Sequence, residues 1–259
     1  MKSIILCFLV VTLFSCANTT ETPDMPGTYL MQSQTLNDGT KDTRLNALKQ
    51  LKIFTGDFFM YTQVNPQDSV SAFGVGSYTT DKGTVTENVI YSSSDTAIGT
   101  PNTYKLDIKK TQDGYTQVIP EILIQSQKNK LTEEYQTVGT SAKTRLDGVW
   151  KETKSFNIVG GDTILNNRTQ YKAYFAGYFM FGHTVKDSTS RNHTGIGFGT
   201  FVMNNDTQIK ETDLNSTYSI IAGNSFDVAI EMDGTDKYKQ TLTNADGSIG
   251  VEYYERLKK

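Results

Sequence analysis

The chain is poor in cysteine, histidine and clustered charge, and each shortage removes a class of chemistry. Only two cysteines occur, Cys7 and Cys16, so everything after residue 16 is free of thiols. That part of the chain can form no disulfide, thiolate metal site or cysteine nucleophile. His183 and His193 are the only histidines, and a zinc site needs three or four protein ligands. No CxxC, HExxH or carboxylate-rich run supplies the remainder, so no metal is expected. One histidine could in principle hold a haem, in the second half of the chain alone, but no cofactor is expected either. No GxSxG elbow is present. Gly74-Val75-Gly76 and Gly195-Ile196-Gly197-Phe198-Gly199 are followed by no helix, which makes them strand kinks and not phosphate loops. The formal net charge is −3 with no basic cluster, which argues against nucleic acid as a partner. Past the N-terminus, no apolar run approaches the length of a membrane span.

The N-terminus has the one apolar run. Lys2 precedes an apolar stretch from Ile4 to Phe14 broken only by Thr12, the length of a secretory signal and too short to span a bilayer. The polar, proline-containing stretch ANTTETPDMP after it reads as a flexible tether. Leu13-Phe14-Ser15-Cys16 resembles the bacterial lipobox. The resemblance implies that residues 1–15 are removed as a signal peptide. Cys16 then becomes a diacylated N-terminus, and 16–26 form the tether. It also implies a cell-envelope protein whose membrane partner is reached through the anchor. Ala17 in place of aspartate points to the outer membrane under the enteric sorting pattern, with the face left open. The alternative is an ordinary secretory signal that contains a cysteine.

The remainder alternates with period two between Gly, Asn and Asp punctuation, an all-β pattern. Thr43–Gln50 (TRLNALKQ) is the one helix-like stretch. The chain is also a duplication. LKIFTGDFFMY from Leu51 matches YKAYFAGYFMF from Tyr171, and GVGSYTTDKGTVTE matches GFGTFVMNNDTQIKE. YKLDI matches FDVAI, Gly27-Thr28-Tyr29 matches Gly148-Val149-Trp150, and LTEEYQTV matches GVEYYERL, all at an offset of about 120. Two domains follow, 27–139 and 146–259, joined by a short polar linker that predicts nearly independent melting. Each unit shows eight candidate strands. They begin near Thr28, Leu51, Phe58, Ser71, Thr84, Thr103, Tyr115 and Lys130, then near Val149, Thr169, Tyr178, Thr194, Thr207, Ser225, Lys237 and Ile249. Eight short antiparallel strands can close into an up-and-down barrel that leaves no edge; a sandwich is the alternative.

Gly148-x-Trp150 opening the first strand of the second unit, with Arg256 near the end of its last, resembles the lipocalin signature. The fuller pattern is similar to the lipocalin-like domains of Bacteroidetes lipoproteins. The resemblance implies that Trp150 plugs one barrel end and Arg256 lies across its ring as a structural clasp. In the first unit Tyr29 stands for the tryptophan and Thr137 for the arginine, which predicts a weaker clasp or none.

Two further patterns bear on function. Glu87 and Glu211 are equivalent and lie on otherwise apolar faces; Val85, Glu87, Val89 and Tyr91 form one such face. A buried carboxylate must be paired, hydrogen-bonded or protonated. It is either a ligand anchor or a group satisfied by tyrosines or a lysine. Aromatics recur at alternate positions, and an eight-stranded barrel is filled by side chains or holds one small ligand. The expected function is therefore binding of a small, mostly apolar ligand. Tyr61, Tyr78, Glu87, Tyr104, Phe181, His183, Phe201, Glu211 and Tyr238 are the candidate ligand-binding residues. The alternatives are an interaction protein with filled barrels and, third, an enzyme, for which no acid–base or nucleophile set is shared by both units.

Overall fold

A computed structural model of the protein describes residues 22–45, 48–65, 70–94, 103–124, 126–188, 191–244 and 246–259. The lipobox and most of the tether lie outside them. The described residues form eighteen strands and no helix.

The first barrel comprises β1 (Gly27–Asn37), β3 (Lys49–Phe54), β4 (Phe58–Asn65), β5 (Val70–Asp81), β6 (Thr84–Ser92), β7 (Thr103–Lys110), β8 (Gly114–Ile124) and β9 (Gln127–Thr137). Each pairs antiparallel with the next, and β1 pairs with β9 to close the ring. The second barrel repeats this with β10 (Gly148–Val159), β12 (Arg168–Phe175), β13 (Tyr178–Lys186), β14 (Asn192–Asn205), β15 (Gln208–Ser216), β16 (Ser225–Asp233), β17 (Lys237–Thr243) and β18 (Ile249–Arg256). The arrangement is consistent with a lipocalin-like fold. A short extra strand, β2 (Asp42–Leu45) or β11 (Asp162–Leu165), folds back on the far half of β1 or β10. The helix-like reading of Thr43–Gln50 is thus overturned. Apart from Leu48, its described residues belong to β2 and β3, because pairing with β1 outweighs the modest propensity of Leu, Lys and Gln.

The duplication extends to the irregularities. Matching register shifts fall at Met31/Ser33 and Glu152/Lys154, and at Val75/Gly76 and Phe198/Gly199. At the second pair the strands approach so closely that a Cβ on Gly76 or Gly199 would collide with a carbonyl oxygen of the neighbouring strand. The bulge also corrects one expectation. With Ile90 extruded, Tyr91 pairs opposite Val75 and leaves the inward face on which Val85 and Glu87 remain.

Tyr91 turns outward onto the other barrel. A buried apolar layer joins the two barrels through the same three strands of each copy. β3, β4 and β5 contribute Leu51, Ile53, Phe58, Met60, Phe73 and Val75; β12, β13 and β14 contribute the equivalent Tyr171, Ala173, Tyr178, Met180, Ile196 and Phe198. The interface is therefore quasi-twofold. Polar bonds flank it: Thr28 Oγ1 donates to the Phe175 carbonyl and Ser71 Oγ to that of Thr194, both at 2.9 Å. At about 1.5–3 kcal/mol for each fully buried apolar side chain, this layer couples the units. Independent melting, expected from the linker alone, does not follow from this geometry.

Candidate functional site

Each barrel is closed at one end by an aromatic plug. Trp150 is fully buried, its Nε1–H donates to the Leu146 carbonyl at 2.8 Å, and Tyr238 packs edge-on against it at 4.7 Å. Arg256, opposite Trp150 in the β10–β18 register, sets its guanidinium carbon 4.0 Å from the indole centre. It also donates to the carbonyls of Asp147, Arg145 and Thr235 at 2.5, 2.9 and 3.0 Å. In the first barrel Tyr29 takes the tryptophan's place and donates to the Met25 carbonyl at 3.0 Å. Met25 is buried like its equivalent Leu146, so this end of the tether is part of the barrel. Thr137 stands opposite Tyr29, and the cation comes instead from Lys110 on β7, 5.6 Å from the Tyr29 ring.

Above the plugs, both interiors carry the same polar core. Lys52 meets Glu87, and Lys172 meets Glu211, each at 2.7 Å and each nearly inaccessible to solvent. The lysines reach on to Gln117 and Gln240, which donate to Glu133 and Glu252. Tyr135 and Tyr254 donate to the same two carboxylates. Glu211 accepts a further bond from the Tyr174 hydroxyl at 2.6 Å. Burial drives the Glu87 carboxyl above the usual range, with Lys52 opposing it. The two candidate anchors are thus each paired with a buried lysine of their own barrel.

The remaining candidates divide. Tyr61 and Tyr104 line the first interior near Glu87; burial, followed by the charge of Glu87, raises both phenols. Tyr78, Phe201 and Tyr238 pack toward the plugged ends: Tyr78 donates to the Thr55 carbonyl at 2.6 Å, and Phe201 lies edge-on to Tyr174 at 4.9 Å. Phe181 and His183 lie together at the end of the second barrel away from the plug, stacked at 6.2 Å. His193 is on the outside, paired with Asp187 at 2.9 Å, so the two histidines share no site.

The copies also differ at the end away from the plugs. Four inward positions that hold Met31, Leu48, Gln63 and Val89 in the first barrel hold Glu152, Arg168, His183 and Asp213 in the second; the matching registers show three of them, and Leu48, two residues before Gln50 as Arg168 is before Gln170, packs on the first core. Arg168 donates to Glu152 at 2.7 Å and to Glu252 at 2.6 Å. Gln170 spends its amide N–H groups on Glu152, Glu252 and Tyr254. Its carbonyl oxygen therefore accepts from His183 Nδ1 at 3.2 Å, which leaves His183 Nε2 to accept from the Tyr218 hydroxyl at 2.6 Å. Burial, followed by the charge of Arg168, lowers the His183 pKa to about 4, so the ring is neutral. Burial, followed by Glu211, raises Asp213 to about 7. Burial pushes Glu252 upward, but Arg168 and Lys172 outweigh it and hold the carboxyl below its usual range.

Reading single strands missed Lys52, Lys172 and the glutamines, although one signal was available: a lysine recurs at the same place in both copies inside an apolar run. Arg168, Glu152, Asp213 and Tyr218 were also missed. The first three become visible when the copies are aligned and charge differences are sought at inward positions. No family model matches the chain, and no curated protein matches it in sequence.

Proposed function

We propose that the chain is an envelope protein, lipid-anchored at Cys16, in which the first barrel is a scaffold and the second recognises a small ligand at the end away from its plug. The observation that carries this reading is the placement of the divergence. The two copies share their buried ion pairs and their joining face, and each keeps an aromatic plug with a cation beside it, although the residues of the plug differ. Yet four inward apolar or neutral positions of the first became Glu152, Arg168, His183 and Asp213, all at one mouth. Ionisable groups on inward positions cost stability, and random drift would scatter such changes over both copies. Phe181, His183 and Tyr218 supply a stacked wall suited to the apolar part of a ligand.

The test converts the second mouth into the first. Full-length protein is purified from its own envelope, as wild type and as Glu152→Met/Arg168→Leu/His183→Gln/Asp213→Val, and examined by native mass spectrometry. The wild type should carry a bound small molecule that the folded variant lacks; the same occupancy in both, or none in either, sinks the reading. The anchor is tested separately. Cys16→Ala should move the protein from the membrane fraction to the soluble fraction, and a variant that still sediments would remove the lipidation step.

A second reading, an interaction protein, is favoured by the internal pairing of both candidate anchors and by the rim. Ile164 and Leu165 on the edge strand β11 and Ile220 in the β15–β16 loop are exposed, and an unpaired edge is a template for another strand. Crosslinking in intact envelopes through photoreactive groups at 164 and 220 should then yield one discrete adduct, and its absence would retire this reading.

A further inference from the structure

At the mouth of the second barrel, one polar atom has no counterpart among the described residues. Asp213 is 3% exposed, and its Oδ1 has no hydrogen-bond partner among the described residues. The cations nearby are committed: Lys172 to Glu211 and Gln240, Arg168 to Glu152 and Glu252. Val89 fills the equivalent place in the first barrel with a side chain that needs no partner. A buried carboxyl left unanswered costs free energy, so its presence requires a compensating role.

Its surroundings indicate what it answers to. β14 turns Gly195 and Gly197 inward, and rings occupy the space their side chains would have taken. The point where Gly197 would carry a Cβ is 2.9 Å from Asp213 Oδ1 and closer still to the edge of the Phe181 ring. The same point on Gly195 lies within 3 Å of both His183 Nε2 and the Tyr218 hydroxyl. The loop carrying Tyr218 is fastened at Asp213 itself, by Gly223 N–H to the Asp213 carbonyl at 2.8 Å and Asp213 N–H to the Asn224 carbonyl at 3.0 Å. A carboxylate acceptor at the foot of a stack of three rings, under a loop, combines charge-assisted hydrogen bonding with the attraction of aromatic faces for cations.

Resting on the reading of the second barrel as the binding copy, we propose that its mouth takes a small organic cation, an alkyl- or arylammonium. Its N–H groups would donate to Asp213 Oδ1, and its carbon skeleton would lie against Phe181, His183 and Tyr218. An anionic ligand would face Glu152, Glu252, Glu211 and Asp213 with Arg168 and Lys172 already engaged. A divalent metal would find no group of three His, Cys, Asp or Glu among the described residues. Burial and the neighbouring Glu211 favour the protonated Asp213 when the site is empty, so ammonium binding must displace that proton and should strengthen as pH rises through 7.

The experiment compares benzylamine, benzyl alcohol and benzoate, which share a ring and differ in charge, by calorimetric titration of the full-length protein in detergent micelles at pH 8. Benzylamine should bind at least tenfold more tightly than the other two. Asp213→Asn and Asp213→Val should each weaken it at least tenfold while melting no lower than the wild type, because both remove an unanswered carboxyl. Equal binding of the neutral or anionic probe, unchanged benzylamine binding in the folded Asp213 variants, or no benzylamine binding overturns the proposal. The envelope-purified protein separates the two levels of inference. A co-purified molecule that is neutral or anionic keeps the binding reading and removes the cation, whereas no co-purified molecule and no benzylamine binding remove both.

Discussion

The guanidinium of Arg256 lies 4.0 Å above the ring of Trp150 and at the same time ties three backbone carbonyls at the plugged end of the second barrel. The contact links the first strand of the barrel to the last, but only part of its strength is cation–π. A cation over an indole is worth about 0.5–2 kcal/mol, and hydrogen bonds from a charged donor about 1.5–3 kcal/mol each. Arg256→Met keeps the aliphatic cover and should cost about 2–4 kcal/mol in urea unfolding. Arg256→Lys should recover less than half of that, because an ammonium cannot reach all three carbonyls in one plane. A loss below 1 kcal/mol for Arg256→Met would show that the ring contact alone matters little. The ligand binding proposed for the opposite end should survive both variants.

The joining face makes a second prediction. Phe73 of the first barrel lies so close over Gly182 of the second that any Cβ there would be less than 3 Å from its ring. Gly182→Val should force the barrels apart and destabilise the whole chain, and Phe73→Ala should cost about 3–5 kcal/mol through the cavity it leaves. Scanning calorimetry of the wild type should show one cooperative transition, and either variant should broaden or split it. Two separate wild-type transitions would mean that the buried layer does not couple the barrels.

What the sequence made legible follows from which forces leave a pattern in it. Sixteen strands were found because each has one wet face or a repeated partner, so alternation or the repeat reveals it. β2 and β11 left no such trace: each is four residues long, each pairs with a single neighbour, and β11 is exposed throughout. Tyr91 was placed on the wrong face because one extruded residue, Ile90, inverts everything after it. The joining face was hidden for another reason. In LKIF the outward Leu51 and Ile53 are as apolar as a core, so the run shows no alternation and the inward Lys52 looks misplaced. The clasp was readable because tryptophan and arginine are rare enough to be noticed at opposite ends of a repeat. The mouth was not, because no single strand contains it.

His183 and Asp213 make the stability of the second barrel depend on pH in opposite senses. The His183 pKa is lowered to about 4 from 6.5, so the unfolded chain takes up its proton first, and stability falls as pH drops from 6.5 to 4. The Asp213 pKa is raised to about 7 from 3.8, so the folded chain holds the proton more firmly. Its contribution is complete below pH 4 and is lost as pH rises toward 7. Asp213→Asn should leave the His183 limb alone, with stability rising from pH 4 to 6.5. His183→Gln, the residue of the first barrel, should leave the Asp213 limb, with stability falling from pH 4 to 7. Urea midpoints across that range check both signs, and identical profiles for the two variants would show that neither group titrates as its burial implies. Arg168, Glu152, Glu252, Glu211 and Lys172 surround these groups and are unchanged in both variants, so the difference between the two profiles reports His183 and Asp213.

The duplicated ion pair offers the last test, because it occurs twice in nearly the same setting. Lys172 and Glu211, like Lys52 and Glu87, are at least nine-tenths buried and 2.7 Å apart. A pair of this kind contributes little net stability once desolvation is counted, yet removing one member strands the other charge. Lys52→Met should therefore cost about 3–5 kcal/mol near pH 7. Part of that should return at low pH, where the stranded Glu87, already raised by burial, takes up a proton. Lys52→Met/Glu87→Leu should be clearly more stable than the single variant at pH 7, since neither charge remains to be solvated. In the second barrel the matching double variant should recover less, because Glu211 also accepts the Tyr174 hydroxyl and its loss leaves that group without a partner. Equilibrium urea unfolding of the four proteins at pH 7 and pH 5 gives the comparison. If either double variant is no better than its parent single, the lysine acts chiefly through its packing on Phe54 and Phe59, or on Tyr174 and Phe179, and the ion pair is not what the duplication preserved.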